Sequence, residues 1–335
     1  MNSFNNSFNN AWQYDAWLNF TKKQKEKADL KKVGFYTGVA ILMNILVQNV
    51  LTVLLAAFDL TDKYLNDGVF AAGFDILFTV LALLVPFALV GRKMNAYSGA
   101  ERVFYLGAPY RYRDLPSAVL AGVGCCMGAN IITNYISAIF NNFGYEPSDL
   151  EFNLPDGIGG FLLSLVRMAV VAGIVEEIAM RGYVLGNLRF YGDGFAIAMS
   201  SVVFAVIHGN FSQMPFALVS AFGLGYFSVK TGTMWTGVII HMLNNAISVI
   251  FFYVPELVGE EDLLWLQALV IYGLIAVGIF CAVRFSSKTR DIPLNEGRSL
   301  LTTGEKLKAY FCSVPMILSL VYFVVISIIG ITEIS

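Results

Sequence analysis

Charge is scarce in this sequence. Asp, Glu, Lys and Arg make up 14% of its 335 residues, where soluble globular domains carry roughly 25%. Basic and acidic side chains nearly balance, 22 against 24, so there is no excess positive charge of the kind that nucleic acid attracts, and no nucleic-acid partner is expected. The four cysteines, Cys125, Cys126, Cys281 and Cys312, fall inside apolar runs and lack metal-type spacing. That pattern reads as reduced, small packing residues rather than a disulfide frame or a zinc site. Residues 1–34 have no apolar stretch long enough for a signal peptide. The loops are too short to hold a second, soluble domain. Histidine is rarer still, with only His208 and His241.

Apolar length is abundant instead. Hydrophobic residues reach 57% and mean hydropathy is +0.65. Several runs exceed the roughly 18 residues needed to cross about 30 Å of hydrocarbon as a helix. The sequence therefore predicts an all-α, polytopic membrane helix bundle of eight to nine spans. Nine can be placed, at about 35–58, 68–90, 115–140, 158–188, 194–209, 212–229, 233–254, 263–285 and 309–330. Basic residues collect in the tail, in 91–114 (Arg92, Lys93, Arg102, Arg111, Arg113) and in 284–308, whereas acidic residues collect in 59–67, 141–156 and 255–263. The positive-inside rule then puts the N-terminus and the basic loops in the cytoplasm and the C-terminus outside, and a bacterial plasma membrane is the expected location. The fifth and sixth spans are the shortest.

Four segments follow: a polar, aromatic and lysine-rich N-terminal part (1–34), N-terminal membrane helices (35–157), a core (158–255) and C-terminal membrane helices (256–335). The first contains a doubled SFNN between Asn2 and Asn10, a low-complexity tract expected to be disordered. Trp12, Trp17 and Phe20 then precede Lys22, Lys23, Lys25, Lys27, Lys31 and Lys32. That composition suits either an in-plane segment on an anionic surface or a solvated tail that only sets topology.

The core is where charge enters an apolar run. Gly173–Asn187, GIVEEIAMRGYVLGN, places Glu176, Glu177 and Arg181 within six residues, although one charge at the centre of a membrane helix costs roughly 2.5–3.5 kcal/mol on insertion scales. Glu177 and Arg181 stand four apart, so they share a face and can neutralise each other. Glu176 is rotated from Glu177 by about 100° and keeps its carboxylate free. His208 closes FAVIH, with Phe204 one turn earlier on the same face, and His241 opens HMLNN, with Asn245 one turn later. Helical rise puts Glu176, His208, His241 and Asn245 roughly 20, 22, 12 and 18 Å from the cytoplasmic reference points, so tilted helices bring all four to one depth.

A carboxylate beside an imidazole can hold and deprotonate a water, the general-base arrangement for hydrolysis without a covalent intermediate. A second imidazole and an amide N–H₂ are donors suited to the oxyanion of a tetrahedral intermediate. Glu176 with His208 is the expected water-activating pair, and His241 with Asn245 the expected oxyanion donors. No serine or cysteine offers a matching nucleophile arrangement. Without a metal the site needs no cofactor; the alternative is zinc held by Glu176, His208 and His241, although no HExxH pairing puts two ligands on one helical turn.

EExxxR (Glu176, Glu177, Arg181), FxxxH (Phe204, His208) and HxxxN (His241, Asn245), in that order, resemble the CaaX-protease and bacteriocin-processing family of intramembrane proteases, often called CPBP or Abi. The flanks EEIAMRGYVLGNL and YFSVKTGTMWTGVIIHMLNN are similar too. The resemblance covers residues 160–255 and implies four helices around a cavity open to the cytoplasm. It also implies that Glu176 and His208 activate water and that His241 and Asn245 bind the oxyanion. An older view of the family is metal-dependent. The family's substrates are membrane-associated or lipidated peptides and proteins, including prenylated CaaX tails, and some bacterial relatives are associated with bacteriocin immunity. A non-catalytic immunity or scaffold protein is therefore a second reading. A transporter is a third, although no internal repeat is visible. Outside the core, Asp75 and Arg167 are buried charges expected to form a structural ion pair. Asn44, Gln48, Asn130 and Asn134 are expected to hydrogen-bond between helices.

Overall fold

A computed structural model describes residues 2–97, 107–147, 153–256 and 260–333. Lipid offers no partner for backbone N–H and C=O groups, so a chain this apolar must satisfy them within helices. Eleven helices result among the described residues: α1 Asn2–Ala57, α2 Thr61–Asn66, α3 Gly68–Asn95, α4 Tyr112–Asn142, α5 Gly157–Tyr191, α6 Asp193–Val206, α7 Met214–Thr231, α8 Trp235–Tyr253, α9 Glu260–Lys288, α10 Thr303–Phe311 and α11 Val314–Ile329. Two short strands, β1 Tyr145–Pro147 and β2 Ile331–Glu333, pair antiparallel with Glu146 opposite Thr332. The all-α membrane bundle is as expected.

Among the described residues, fewer than nine helices have the length and composition to cross. Six (α1, α3, α4, α5, α8 and α9) are long and apolar enough to span, and α10 with α11, bent by 82°, makes a seventh if the pair is one span. The fifth and sixth expected spans are α6 and α7, of 14 and 18 residues, or about 21 and 27 Å at the α-helical rise. They pack against each other as a hairpin. Its turn, 207–213, satisfies its own polar groups. Asn210 donates to the His208 carbonyl at 2.9 Å, and its Oδ1 accepts from Ser212 Oγ and the Gln213 N–H, both at 2.8 Å. Irregular backbone at membrane depth is tolerated where protein supplies the partners in this way.

The N-terminal segment also differs from expectation. The lysine-rich stretch continues into the apolar part of α1 as one helix rather than forming a separate element. Tyr14, Trp17 and Phe20 are each about 60% exposed.

Contacts sort the connections onto two ends of the bundle. At one end Arg111 pairs with Asp291 and donates to the Lys288 carbonyl, while Lys230 Nζ donates to the carbonyls of Thr289 and Ile292. The Arg111 hydrogen bond holds the Asp291 carboxyl below its ordinary value. The stretch after α9 then crosses the turn between α5 and α6. The Asp193 N–H donates to the Asn295 carbonyl at 2.8 Å, and the Arg298 N–H to Phe190 at 3.0 Å. It next meets α1, where Glu26 accepts from Ser299 Oγ and the Leu300 N–H. At the other end Asn153 donates to the carbonyls of Tyr64 and Leu65, Tyr253 donates to Pro155, and β1 meets β2. The basic loops thus share one end and the acidic ones the other. Arg102, Asp149 and Glu151 lie outside the described residues.

Small residues let α1 approach the bent pair. A Cβ on Gly34 would lie 1.9 Å from the Tyr310 carbonyl oxygen, and one on Gly38 would lie 2.3 Å from the Met316 nitrogen. Ser319 Oγ donates to the Gly38 carbonyl across this contact. Asn44 bridges helices, donating to Ala82 at 2.7 Å, but Asn130 bonds back to Cys126 in its own helix. Arg167 Nη1 lies 3.0 Å from Asp75 Oδ2. Tyr64 donates to the other carboxylate oxygen, and burial followed by the Asp75 charge pushes its phenol up to about 12, keeping it a donor. All four cysteines are free; Cys126 and Cys281 are buried, Cys125 is half-buried, and Cys312 is exposed at the α10–α11 break rather than packed in the core.

Candidate active site

Helix α5 is not a regular α-helix where it carries charge. The α-helical turn Ala172–Glu177 is flanked by π-helical stretches at Leu165–Val171 and Ile178–Leu185. Such i→i+5 stretches inside α-helices occur frequently at functional sites. Sequence spacing gives no signal for them, because an ideal rise is assumed throughout.

Glu177 is fully buried, and its Oε1 lies 2.9 Å from Arg181 Nη1, whose side chain is 1% exposed. The four-residue spacing thus brings the two charges together as expected. Arg181 also donates to the Ala221 carbonyl on α7 at 3.1 Å, and its guanidinium sits 5.2 Å over the Phe204 ring. Glu176 points elsewhere, and its side chain is 22% exposed. It is the more accessible carboxylate of the two.

His241 on α8 comes down between both glutamates. Its Nδ1 is 3.1 Å from Glu177 Oε1, and its Nε2 is 3.7 Å from Glu176 Oε2. The Glu177 carboxylate, paired with Arg181, is an acceptor, and the tautomer that satisfies this contact has the proton on Nδ1. The ring is thereby oriented with Nε2 toward Glu176.

His208 is not within ion-pairing distance of Glu176. The imidazole that Glu176 meets is His241, and His208 stands across Phe204. The Phe204 ring lies edge-on to both imidazoles, 4.8 Å from His208 and 5.9 Å from His241. His208 Nδ1 is 2.7 Å from the Phe204 carbonyl, a hydrogen bond that turns Nε2 away from the backbone. Asn245 donates one amide hydrogen to the Met168 carbonyl in the first π-helical stretch at 2.8 Å, and its Oδ1 accepts from Asn244 at 3.1 Å. Sequence spacing therefore identifies the residues that gather, but not which imidazole faces which carboxylate. The hydrogen bond between Asn245 and Met168 was not anticipated.

Among the described residues, no three His, Cys, Asp or Glu side chains cluster as a metal site.

Residues 158–247 match the family model described as "Type II CAAX prenyl endopeptidase Rce1-like". Over that stretch, about a quarter of its length, the chain is similar to this family. The matched stretch contains Glu176, Glu177, Arg181, Phe204, His208, His241 and Asn245, and with the apolar helices it makes this an integral membrane protein. The chain is also similar to the protein named "Putative membrane peptidase YdiL" of Bacillus subtilis, 26% identical over 140 residues, which cover 41% of this chain and 56% of the relative. The chain thus spans about half the length of the curated relative it matches. No solved structure matches it. The matched stretch runs through α5, α6 and α7 into α8, so the whole constellation lies inside it.

Proposed function

We propose that this protein is an intramembrane endopeptidase that cleaves membrane-associated or lipidated peptides with a water activated by Glu176. The observation that carries the reading is the division of labour between adjacent carboxylates. Glu177 is neutralised by Arg181 and orients His241, while Glu176 is half-buried and faces Nε2 of that ring. A carboxylate that keeps an accessible edge can act as a general base for water. In this reading His208, whose ring lies against Phe204, shares or receives that proton. The proton taken from the water passes to the leaving amine nitrogen as the C–N bond breaks, while His241, entering the reaction as an imidazolium with a proton on each ring nitrogen, donates from Nε2 to the oxyanion, and Asn245 contributes its second amide hydrogen, the first being held by Met168. The Rce1-like match supports peptide hydrolysis as the reaction class. A prenylated tail is one substrate of this kind, and a peptide released during bacteriocin processing is another.

The test is cleavage of a library of membrane-tethered peptides by the purified protein, with and without the chelator phenanthroline. Glu176→Ala is expected to lower the rate by roughly 10²–10⁴-fold, the usual contribution of a general base, while chelator leaves wild-type cleavage unchanged. Loss of wild-type activity in chelator would replace this reading with a zinc-dependent one.

A further inference from the structure

Glu177 uses one oxygen for two partners, Arg181 and His241. Its second oxygen, Oε2, is buried without a hydrogen-bond partner. So is the hydroxyl of Ser228, a fully buried residue on α7. These orphans are not independent. A Cβ placed on Gly237 of α8 would lie 2.6 Å from Ser228 Oγ and 2.7 Å from Glu177 Oε2. Both oxygens therefore converge on one point, beside the only residue type that leaves that point open. The hydroxyl can donate and a carboxylate oxygen accepts. A serine hydroxyl reorients among staggered rotamers at little cost. The neighbouring hydroxyls of Thr231 and Thr236 are already paired with each other at 2.7 Å.

We infer that Ser228 is a positioning residue whose hydroxyl donates to Glu177 Oε2 through the space Gly237 leaves, fixing the carboxylate that orients His241. Buried polar atoms in native proteins are overwhelmingly hydrogen-bonded, and this pairing satisfies two at once. It makes the orientation of His241 depend on three helices: α5 through Glu177, α7 through Ser228 and α8 through Gly237. The kinetic consequence rests on the peptidase reading; the hydrogen bond does not.

The chain holds only two histidines, so ¹⁵N-histidine labelling of the full protein in nanodiscs resolves the ring directly, with a His208→Gln variant assigning the signals. Ser228→Ala is expected to shift the His241 ring-nitrogen signals and leave those of His208 in place, and Ser228→Thr to restore them. Gly237→Ala, which crowds both oxygens, is expected to displace the same signals. In cleavage assays Ser228→Ala is expected to lower kcat about tenfold with KM within twofold. His241 signals in Ser228→Ala that coincide with wild type, or an equal shift of both histidines, would overturn the inference. A His241-specific shift in a protein whose wild type cleaves nothing would uphold it and remove the peptidase reading instead.

Discussion

Glu176 and Glu177 are adjacent and chemically identical, yet burial and partners separate them. Glu177 is fully buried against Arg181 and His241, and Glu176 keeps an exposed edge. That separation was legible in the sequence, because consecutive helical residues point about 100° apart and residues four apart share a face. The partnership of Glu176 with His241 was not, since spacing orders side chains along one helix and says nothing about which neighbouring helix each meets. The same reasoning did reach Asp75 and Arg167, because a buried charge needs a partner and few were available. Arg167 Nη1 sits 3.0 Å from Asp75, with side-chain exposures of 6% and 28%. Breaking a buried pair leaves one charge uncompensated, so Asp75→Asn or Arg167→Gln is expected to cost about 3 kcal/mol and to lower folded yield in detergent. The swap Asp75→Arg with Arg167→Asp is expected to restore only part of it, since Tyr64 loses its carboxylate acceptor. Size-exclusion profiles of the three variants check this; equal loss in all three would show that the charges are not a pair.

Helices were legible wherever an apolar run was long enough to require one. What hydropathy could not separate was a helix that crosses from one that is merely buried, and α6 and α7 fell on that boundary. Nor does it register small residues whose value lies in backbone approach. Gly34 and Gly38 stand one turn apart on α1, and α10 and α11 pack directly on them at Tyr310 and Met316. Membrane helices associate largely through such packing rather than through hydrophobic exclusion. Gly38→Leu would drive a side chain into the Met316 backbone, and overpacking of this kind costs about 1–3 kcal/mol. The expected result is a lower melting temperature with faster hydrogen exchange in α11. Gly73→Leu on α3, where an added Cβ meets nothing within 4 Å, is the control and is expected to stay within about 0.5 kcal/mol of wild type. Equal destabilisation by the two substitutions would rule out the glycine contact as the cause.

At the scale of the whole molecule, a miscounted pair of spans does not disturb the sidedness read from loop charge. Helix α6 starts where Asp193 meets Asn295, and α7 ends where the Tyr110 N–H donates to the Thr231 carbonyl. Both points belong to the end that carries the Arg111–Asp291 pair. The hairpin therefore leaves and returns on one side, adding two apolar runs and no net crossing. Removing it from nine leaves seven candidate crossings, α1, α3, α4, α5, α8, α9 and, counted as one span, the bent pair. Nine and seven are both odd, so the two termini still fall on opposite sides. The pairing of β1 with β2 agrees, since it holds the C-terminal residues to the chain that follows α4. From the positive-inside rule Glu296 is expected in the cytoplasm and Asp62 and Glu333 outside. In a background lacking the four native cysteines, Glu296→Cys is expected to react with an impermeant maleimide only after cells are opened, while Asp62→Cys and Glu333→Cys react in intact cells. Labelling of Glu296→Cys and Glu333→Cys from one side would contradict the odd number of crossings. A clean inversion of the pattern would keep the bundle and reverse its orientation, turning the Glu176 site toward the opposite compartment.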